Sequence, residues 1–219
     1  MALNETASAR ASFRKGLVSY LQPAAKVSEQ YRSIRANIRL LFENQKMKSL
    51  LVTSPAGGEG KTTTVTNLAV SMAYKGSRVL VVDANVRKPS VTAMFQLERT
   101  AGLTDVLAGR KDLKDAVYPT EIGELDVMPA GTYGSEAHNL MDNGALAVIM
   151  QALNSHYDIV LVDAPAVLGA FEVKALANCC DAVLLVLEHG RTKEEAALNA
   201  KLTLEFAGAT LLGAVLNEK

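Results

Sequence analysis

Six consecutive residues, Gly57-Gly58-Glu59-Gly60-Lys61-Thr62, have the composition of a phosphate grip. Glycines let backbone N–H groups curl around phosphate oxygens, and a helix that opens at Lys-Thr adds the partial positive charge of its N-terminus. In that setting Gly57, Gly58, Glu59, Gly60, Lys61, Thr62 and Thr63 would surround the phosphates, Lys61 would reach the outer two, and the Thr62 hydroxyl would hold Mg²⁺. The strict spacing also places a glycine six residues before the lysine, where this chain has Pro55. Two apolar runs, Val79–Val82 and Ile159–Val162, each lead into an aspartate, Asp83 and Asp163. If both runs are parallel strands, the two carboxylates lie at the sheet edge where ligands bind. There they can hold Mg²⁺ or orient an attacking hydroxyl. The expected ligands are therefore ATP and Mg²⁺. Lys61, Asp83 and Asp163 are the catalytic candidates, and Thr62, Asp83 and Asp163 the metal candidates.

The elements that must position these residues alternate in type. Apolar runs at Leu50–Thr53, Val79–Val82, Leu125–Met128, Ile159–Val162, Ala182–Leu187 and Leu211–Leu216 do not alternate in hydropathy, which predicts strands covered on both faces. Helical patterns separate them, one carrying Val65, Leu68, Ala69 and Met72 on a single face and stopping at Gly76. A last helix is expected between Thr192, spaced from Glu195 as a capping box, and Gly208. The fold class is α/β: a doubly wound, mostly parallel sheet of the P-loop NTPase type, preceded by an amino-terminal helix. That helix is predicted from Ser28 as N-cap, with Val27, Tyr31, Ile34, Ile38 and Leu41 forming its apolar seam. Residues 1–27 lack periodicity and read as a flexible leader, leaving 28–219 as one domain.

Composition excludes several alternatives. At 219 residues and 49% hydrophobic content the chain can bury a substantial core. No apolar run approaches the ~18 residues of a membrane helix, and the first residues lack a secretory pattern, so a cytoplasmic protein is expected. Net charge is zero, yet residues 1–49 hold nine lysines and arginines against three acids, an asymmetry that suits a partner or self-association. No interleaved aromatics or recognition motif accompany that basic stretch, and nucleic acid is not expected as a partner. Adjacent Cys179 and Cys180 cannot normally form a relaxed disulfide and read as core residues. His138, His156 and His189 lack metal-ligand spacing.

The motifs together resemble one family. Val79-Leu80-Val81-Val82-Asp83-Ala84-Asn85-Val86-Arg87-Lys88-Pro89 is similar to the second Walker-type motif, Asp-x-Asp-x-Arg, of the bacterial tyrosine kinases that control capsule and exopolysaccharide synthesis. Tyr157 to Pro165 resembles their Walker B segment, and Glu29-Gln30-Tyr31-Arg32-Ser33-Ile34-Arg35 their Glu-x-x-Arg-x-x-Arg self-association motif. Gly102-Leu103-Thr104 and Gly213 to Asn217 extend the resemblance to the last strand, and place Asn217 at the nucleotide. These kinases commonly lack the glycine that Pro55 replaces. The related septum-placement and partition ATPases carry an extra lysine where this chain has Ala56. The resemblance implies ring-like self-assembly through Glu29, Arg32 and Arg35, and activation by a separate transmembrane polysaccharide copolymerase that holds the protein at the inner face of the membrane. It also implies protein tyrosines as substrates.

Three residues or segments depart from that pattern. Asn85 stands where the family has a second carboxylate; its amide can hydrogen-bond but carries no charge and takes no proton. Glu188 stands where the family often has arginine. No tyrosine cluster follows Asn217, and the six tyrosines, Tyr20, Tyr31, Tyr74, Tyr118, Tyr133 and Tyr157, are scattered, with Tyr20 in the leader the expected accessible one. Two function classes follow: a tyrosine kinase, or a catalytically weakened nucleotide-binding scaffold of the same machinery. A partition-type localisation ATPase ranks behind both.

Overall fold

The computed structural model describes residues 16–97, 101–132 and 144–218. The apolar runs form β1 (Ser49–Thr53), β2 (Val79–Asp83), β4 (Leu125–Met128), β5 (Ile159–Asp163), β6 (Ala182–Glu188) and β7 (Leu211–Asn217). A short β3 (Tyr118–Pro119) escapes hydropathy analysis. It pairs antiparallel at the sheet edge, where a proline lacking an N–H is tolerated. The strand order is β3-β4-β2-β5-β1-β6-β7, parallel apart from β3.

Successive side chains of a strand face opposite ways, and here both directions are buried. Leu50, Val52, Val79, Val81, Ile159 and Leu161 enter one core, while Leu51, Leu80, Val82, Val160 and Val162 enter the other. This double burial is the reason that the runs are uniformly apolar. The helices are α1 (Val18–Leu21), α2 (Lys26–Gln45), α3 (Lys61–Ala73), α4 (Val91–Met94), α5 (Leu103–Leu107), α6 (Ala145–His156), α7 (Glu172–Asn178) and α8 (Glu194–Phe206). Side chains of α2 and α3 fill the first core, and those of α6, α7 and α8 the second.

The amino-terminal region differs from its sequence reading. α2 starts at Lys26 with Ala25 as N-cap. Ser28 is buried and donates its hydroxyl to the Gln22 carbonyl at 2.8 Å, tying the helix to the turn before it. The buried face is Tyr31, Ile38 and Phe42, whereas Val27 and Leu41 are 45% and 36% exposed. Leu41 and Phe42 lie three and four residues beyond Ile38, and the larger ring is the one taken into the core.

Residues 16–25, expected within a flexible leader, are anchored. Leu17 is buried, the Ser19 N–H donates to Asn67 Oδ1 at 2.8 Å, and Asn67 Nδ2 donates to the Gly16 carbonyl at 2.7 Å. One buried asparagine of α3 thus holds the incoming chain from both sides. Residues 1–15 lie outside the described residues. Tyr20 rests half-buried against the first core. Among the described tyrosines Tyr74 is the exposed one, at 52%; Tyr133 lies outside them. Cys179 and Cys180 are unlinked, pack against the second core, and have thiols pushed up by burial, as inert core residues should.

Candidate nucleotide site

β1 delivers the chain into the glycine turn. Gly58 and Gly60 adopt φ of 82° and 94°, where a side chain is strained. Gly60 is also crowded: a Cβ there would lie 2.3 Å from Asn217 Nδ2, which donates to the Glu59 carbonyl at 3.1 Å. Pro55 fits because its backbone is not in the glycine region, and its carbonyl accepts the Leu168 N–H at 3.3 Å.

Glu59 props this turn from beneath. It is buried; one carboxylate oxygen accepts the Ala56 N–H at 2.9 Å, and the other accepts the Thr192 hydroxyl at 2.5 Å. Thr192 is therefore not the cap of α8, which begins at Glu194 without a side-chain cap; its hydroxyl serves the phosphate loop instead. Arg191 pairs with Glu188 at 2.9 Å and leans on the Gly58 carbonyl at 3.5 Å. The acid that replaces the family's arginine at 188 thus brings a neighbouring arginine to the loop.

Lys61 opens α3, is 7% exposed, and donates to Ser54 Oγ at 3.0 Å. Burial lowers its pKa, while the charges of Asp163 and Glu59 pull it back up. The Thr62 hydroxyl donates to Asp163 Oδ2 at 2.6 Å and lies 2.9 Å from the Ser90 hydroxyl. Asp83 and Asp163 are register partners on neighbouring strands, and both are fully buried. Burial raises both carboxyls, that of Asp163 to about 6; proximity to Asp163 raises Asp83 further, and Thr62 and Lys61 hold Asp163 down. The two differ in their partners. Asp83 accepts three backbone N–H groups, from Asn85, Ser90 and Val91 at 3.1, 3.0 and 3.1 Å. Asp163 Oδ1 is buried with no hydrogen-bond partner among the described residues.

An orphaned buried carboxylate oxygen beside a threonine hydroxyl suits a hard cation, since Mg²⁺ takes oxygen ligands and keeps several of its waters. The residues present fit Mg²⁺ in that respect. Among the described residues no group of three or more His, Cys, Asp or Glu could hold a metal, so such an ion would complete its shell with water and nucleotide oxygens. Above these groups lies a cleft of about 780 Å³, bordered by Gly57, Gly58, Lys61, Thr63, Asn85 and Ala166 among others. That volume is ample for a nucleotide.

The fold thus brings together the phosphate-loop residues, Asn217, Asp83 and Asp163. Glu29, Arg32 and Arg35 lie elsewhere, on α2. There Arg32 pairs with Glu29 at 3.6 Å and donates to the Pro23 carbonyl at 2.7 Å, and Arg35 donates to the Ser71 carbonyl at 2.7 Å. Ser54, Ser90 and Thr192 were missed from sequence. Each reaches the site through a hydroxyl contact with a partner that only the folded chain brings near or correctly orients.

Residues 47–198 match the family described as an AAA domain. Tyrosine-protein kinase YwqD of Bacillus subtilis is 36% identical over 219 residues, covering 100% of this chain and 92% of the relative. The crystal structure of the chimerical protein CapA2B2 superposes with a TM-score of 0.88 at 32% identity, over 93% of this chain and 89% of that one. The septum site-determining protein MinD complexed with Mg-ADP from Pyrococcus horikoshii reaches a TM-score of 0.68 at 28% identity, over 78% and 70% of the two chains. Together with the phosphate loop and paired strand-end aspartates, these likenesses identify the chain as a member of the bacterial tyrosine-kinase family, a branch of the P-loop ATPases.

Proposed function

We propose that this chain is an ATP- and Mg²⁺-dependent protein-tyrosine kinase serving capsule or exopolysaccharide synthesis. The observation that carries the reading is Asp163 Oδ1, without a hydrogen-bond partner among the described residues, beside the Thr62 hydroxyl at the mouth of a phosphate loop that holds Lys61 ready. The loop amides and Lys61 bind the β and γ phosphates, with Asn217 and Glu59 keeping the loop in shape. Thr62, Asp163 and Asp83 would hold Mg²⁺, which when bound neutralises charge on the phosphate oxygens. The phosphorus of the γ-phosphoryl group leaves the oxygen bridging it to the β phosphate and bonds to the tyrosine oxygen. Asp83 orients that hydroxyl through the acceptor capacity left on its Oδ1, which takes only the Asn85 N–H, and the proton passes to the Asp83–Asp163 pair. Asn85 borders the cleft with an uncharged amide, which favours a weakened catalyst that acts as a nucleotide-binding scaffold.

Among the described residues no helix is long and apolar enough to cross a membrane. A transmembrane copolymerase is the activator this reading requires, holding the protein at the inner face of the cell membrane. Incubating the protein with labelled ATP, Mg²⁺, the activator's cytosolic tail and a tyrosine-rich polypeptide should yield phosphotyrosine, and Lys61→Met should lower the yield by about 10²- to 10³-fold. Nucleotide binding without any phosphotyrosine sinks the kinase reading in favour of the scaffold. Recovery of transfer in Asn85→Asp would identify the residue responsible.

Self-assembly is assigned to Glu29, Arg32 and Arg35. In the presence of ATP and Mg²⁺ the protein should sediment as a multi-subunit ring. The double variant Arg32→Ala/Arg35→Ala should sediment as a monomer with a Tm lowered by only a few degrees, since Arg35 also bonds Ser71 within the chain. A ring of unchanged mass refutes the assignment.

A further inference from the structure

The loop after β2 brings a second cation to the cleft. Arg87 lines the same wall as Gly57, Gly58 and Lys61. Its Nε and Nη2 donate to the two carboxylate oxygens of Glu172 at 3.2 and 3.4 Å. The side chain of Glu172, in the first turn of α7, is 0% exposed, whereas that of Arg87 is 41% exposed. A carboxylate removed from water is retained only when paired, so the pair's buried half dictates where its exposed half stands. Attachment at two points fixes the plane of the guanidinium as well as its place.

The rest of the guanidinium is turned to other use. Among the described residues Nη1 makes no hydrogen bond to protein, so donors remain for a ligand in the cleft. The backbone that carries Arg87 is secured on both sides, because Asp83 accepts the N–H groups of Asn85 before it and Ser90 after it. Between Ala84 and Ser90 no acid competes for the cation, since Asn85 is neutral. Neighbouring Lys88 also borders the cleft; its N–H donates to the Asn85 carbonyl at 3.1 Å, but among the described residues its side chain makes no hydrogen bond or ion pair, so no partner fixes its ammonium.

We propose that Arg87 is a phosphoryl clamp supplied from within the chain and that Glu172 is its positioning residue. Resting on the cleft's assignment as the ATP site, the inference names the group that meets the moving phosphoryl oxygens. In a loose phosphoryl transfer, charge spreads over three equatorial oxygens, and a pre-fixed planar donor binds that arrangement better than the ground state. Lys61 and the loop amides bind both states, and Arg87 discriminates between them.

The test compares ground-state with transition-state-like ligands, so it needs no turnover. Purified full-length protein is titrated with a fluorescent ADP plus Mg²⁺, with and without aluminium fluoride, whose planar complex on ADP mimics the transferring group. Arg87→Ala should bind ADP within about 3-fold of wild type yet lose about 30- to 100-fold in affinity for the fluoride complex. Arg87→Lys and Glu172→Gln should each lose roughly 10-fold, and Arg87→Ala/Glu172→Gln no more than Arg87→Ala alone. Added guanidinium ion should restore part of the affinity of Arg87→Ala. Equal losses for ADP and its fluoride complex, or no loss for either, overturn the clamp while leaving the nucleotide site intact. A wild type that binds no ADP overturns both. Arg87 is partly exposed, so its variants keep the test decisive even if Glu172→Gln fails to fold.

Discussion

Asp163→Asn is expected to raise the stability of the nucleotide-free protein at about pH 8 while lowering phosphotyrosine formation by about 10²-fold or more. In the folded chain the Asp163 carboxyl is raised to about 6 from 3.8, first by burial. A group whose folded pKa is raised contributes stability that is complete below its unfolded value and is lost as pH rises through the folded one. Asp163 therefore penalises the fold fully above about pH 6, by at most about 3 kcal/mol. Asparagine keeps an acceptor for the Thr62 hydroxyl and removes the charge, at the cost of some attraction to Lys61. A net gain on the order of 2 kcal/mol corresponds to a Tm rise of about 4–8 °C. The gain should shrink toward about pH 5, where the wild-type carboxyl is protonated. Tm measured across that range in both proteins checks the sign. Parallel curves would mean that Asp163 is not the titrating group.

Gly60→Ala is the most damaging single change expected in the loop. A left-handed alanine costs about 1–2 kcal/mol, and its methyl would sit 2.3 Å from Asn217 Nδ2, expelling the side chain that ties Glu59 to the end of β7. The combined cost should reach about 2–4 kcal/mol, with a Tm fall of about 6–12 °C. Nucleotide affinity should drop by about 10²-fold, because the loop amides no longer converge. Gly60→Ala/Asn217→Ala relieves the clash but not the backbone strain, and should recover about half of the stability. Gly57→Ala separates the two roles of glycine. Its φ is not positive and a Cβ there meets nothing within 4 Å, so Tm should barely move while the methyl, projecting into the cleft, weakens nucleotide binding. If Gly57→Ala unfolds the protein as Gly60→Ala does, the distinction between shape and access is wrong.

Much of this site was legible in the chain because its main parts are local. The phosphate grip is a contiguous stretch, and each aspartate directly follows an apolar run, so strand periodicity alone puts both carboxylates at one sheet edge. What local patterns could not supply is pairing. Thr192 looked like a helix cap because it stands three residues before Glu195, yet its hydroxyl closes on Glu59 across β1 and β6, which are neighbours only in the assembled sheet. Residues 16–25 looked unstructured because their anchor, Asn67, is on another helix. By sequence Arg87 is one letter of a motif, and Glu172, the residue that holds it, stands 85 residues away.

The amino-acid order alone therefore determined the α/β class, the nucleotide loop and which carboxylates face it, since hydropathy period and contiguous spacing encode these. Tertiary structure alone decided the unequal roles of the two aspartates. Asp83 and Asp163 end similar strands, but both oxygens of Asp83 accept backbone N–H groups of its own loop, and Asp163 keeps one buried oxygen without a partner among the described residues. The difference arises because strand order sets Asp163 beside β1 and the Thr62 hydroxyl, while the turn after β2 curls back over Asp83.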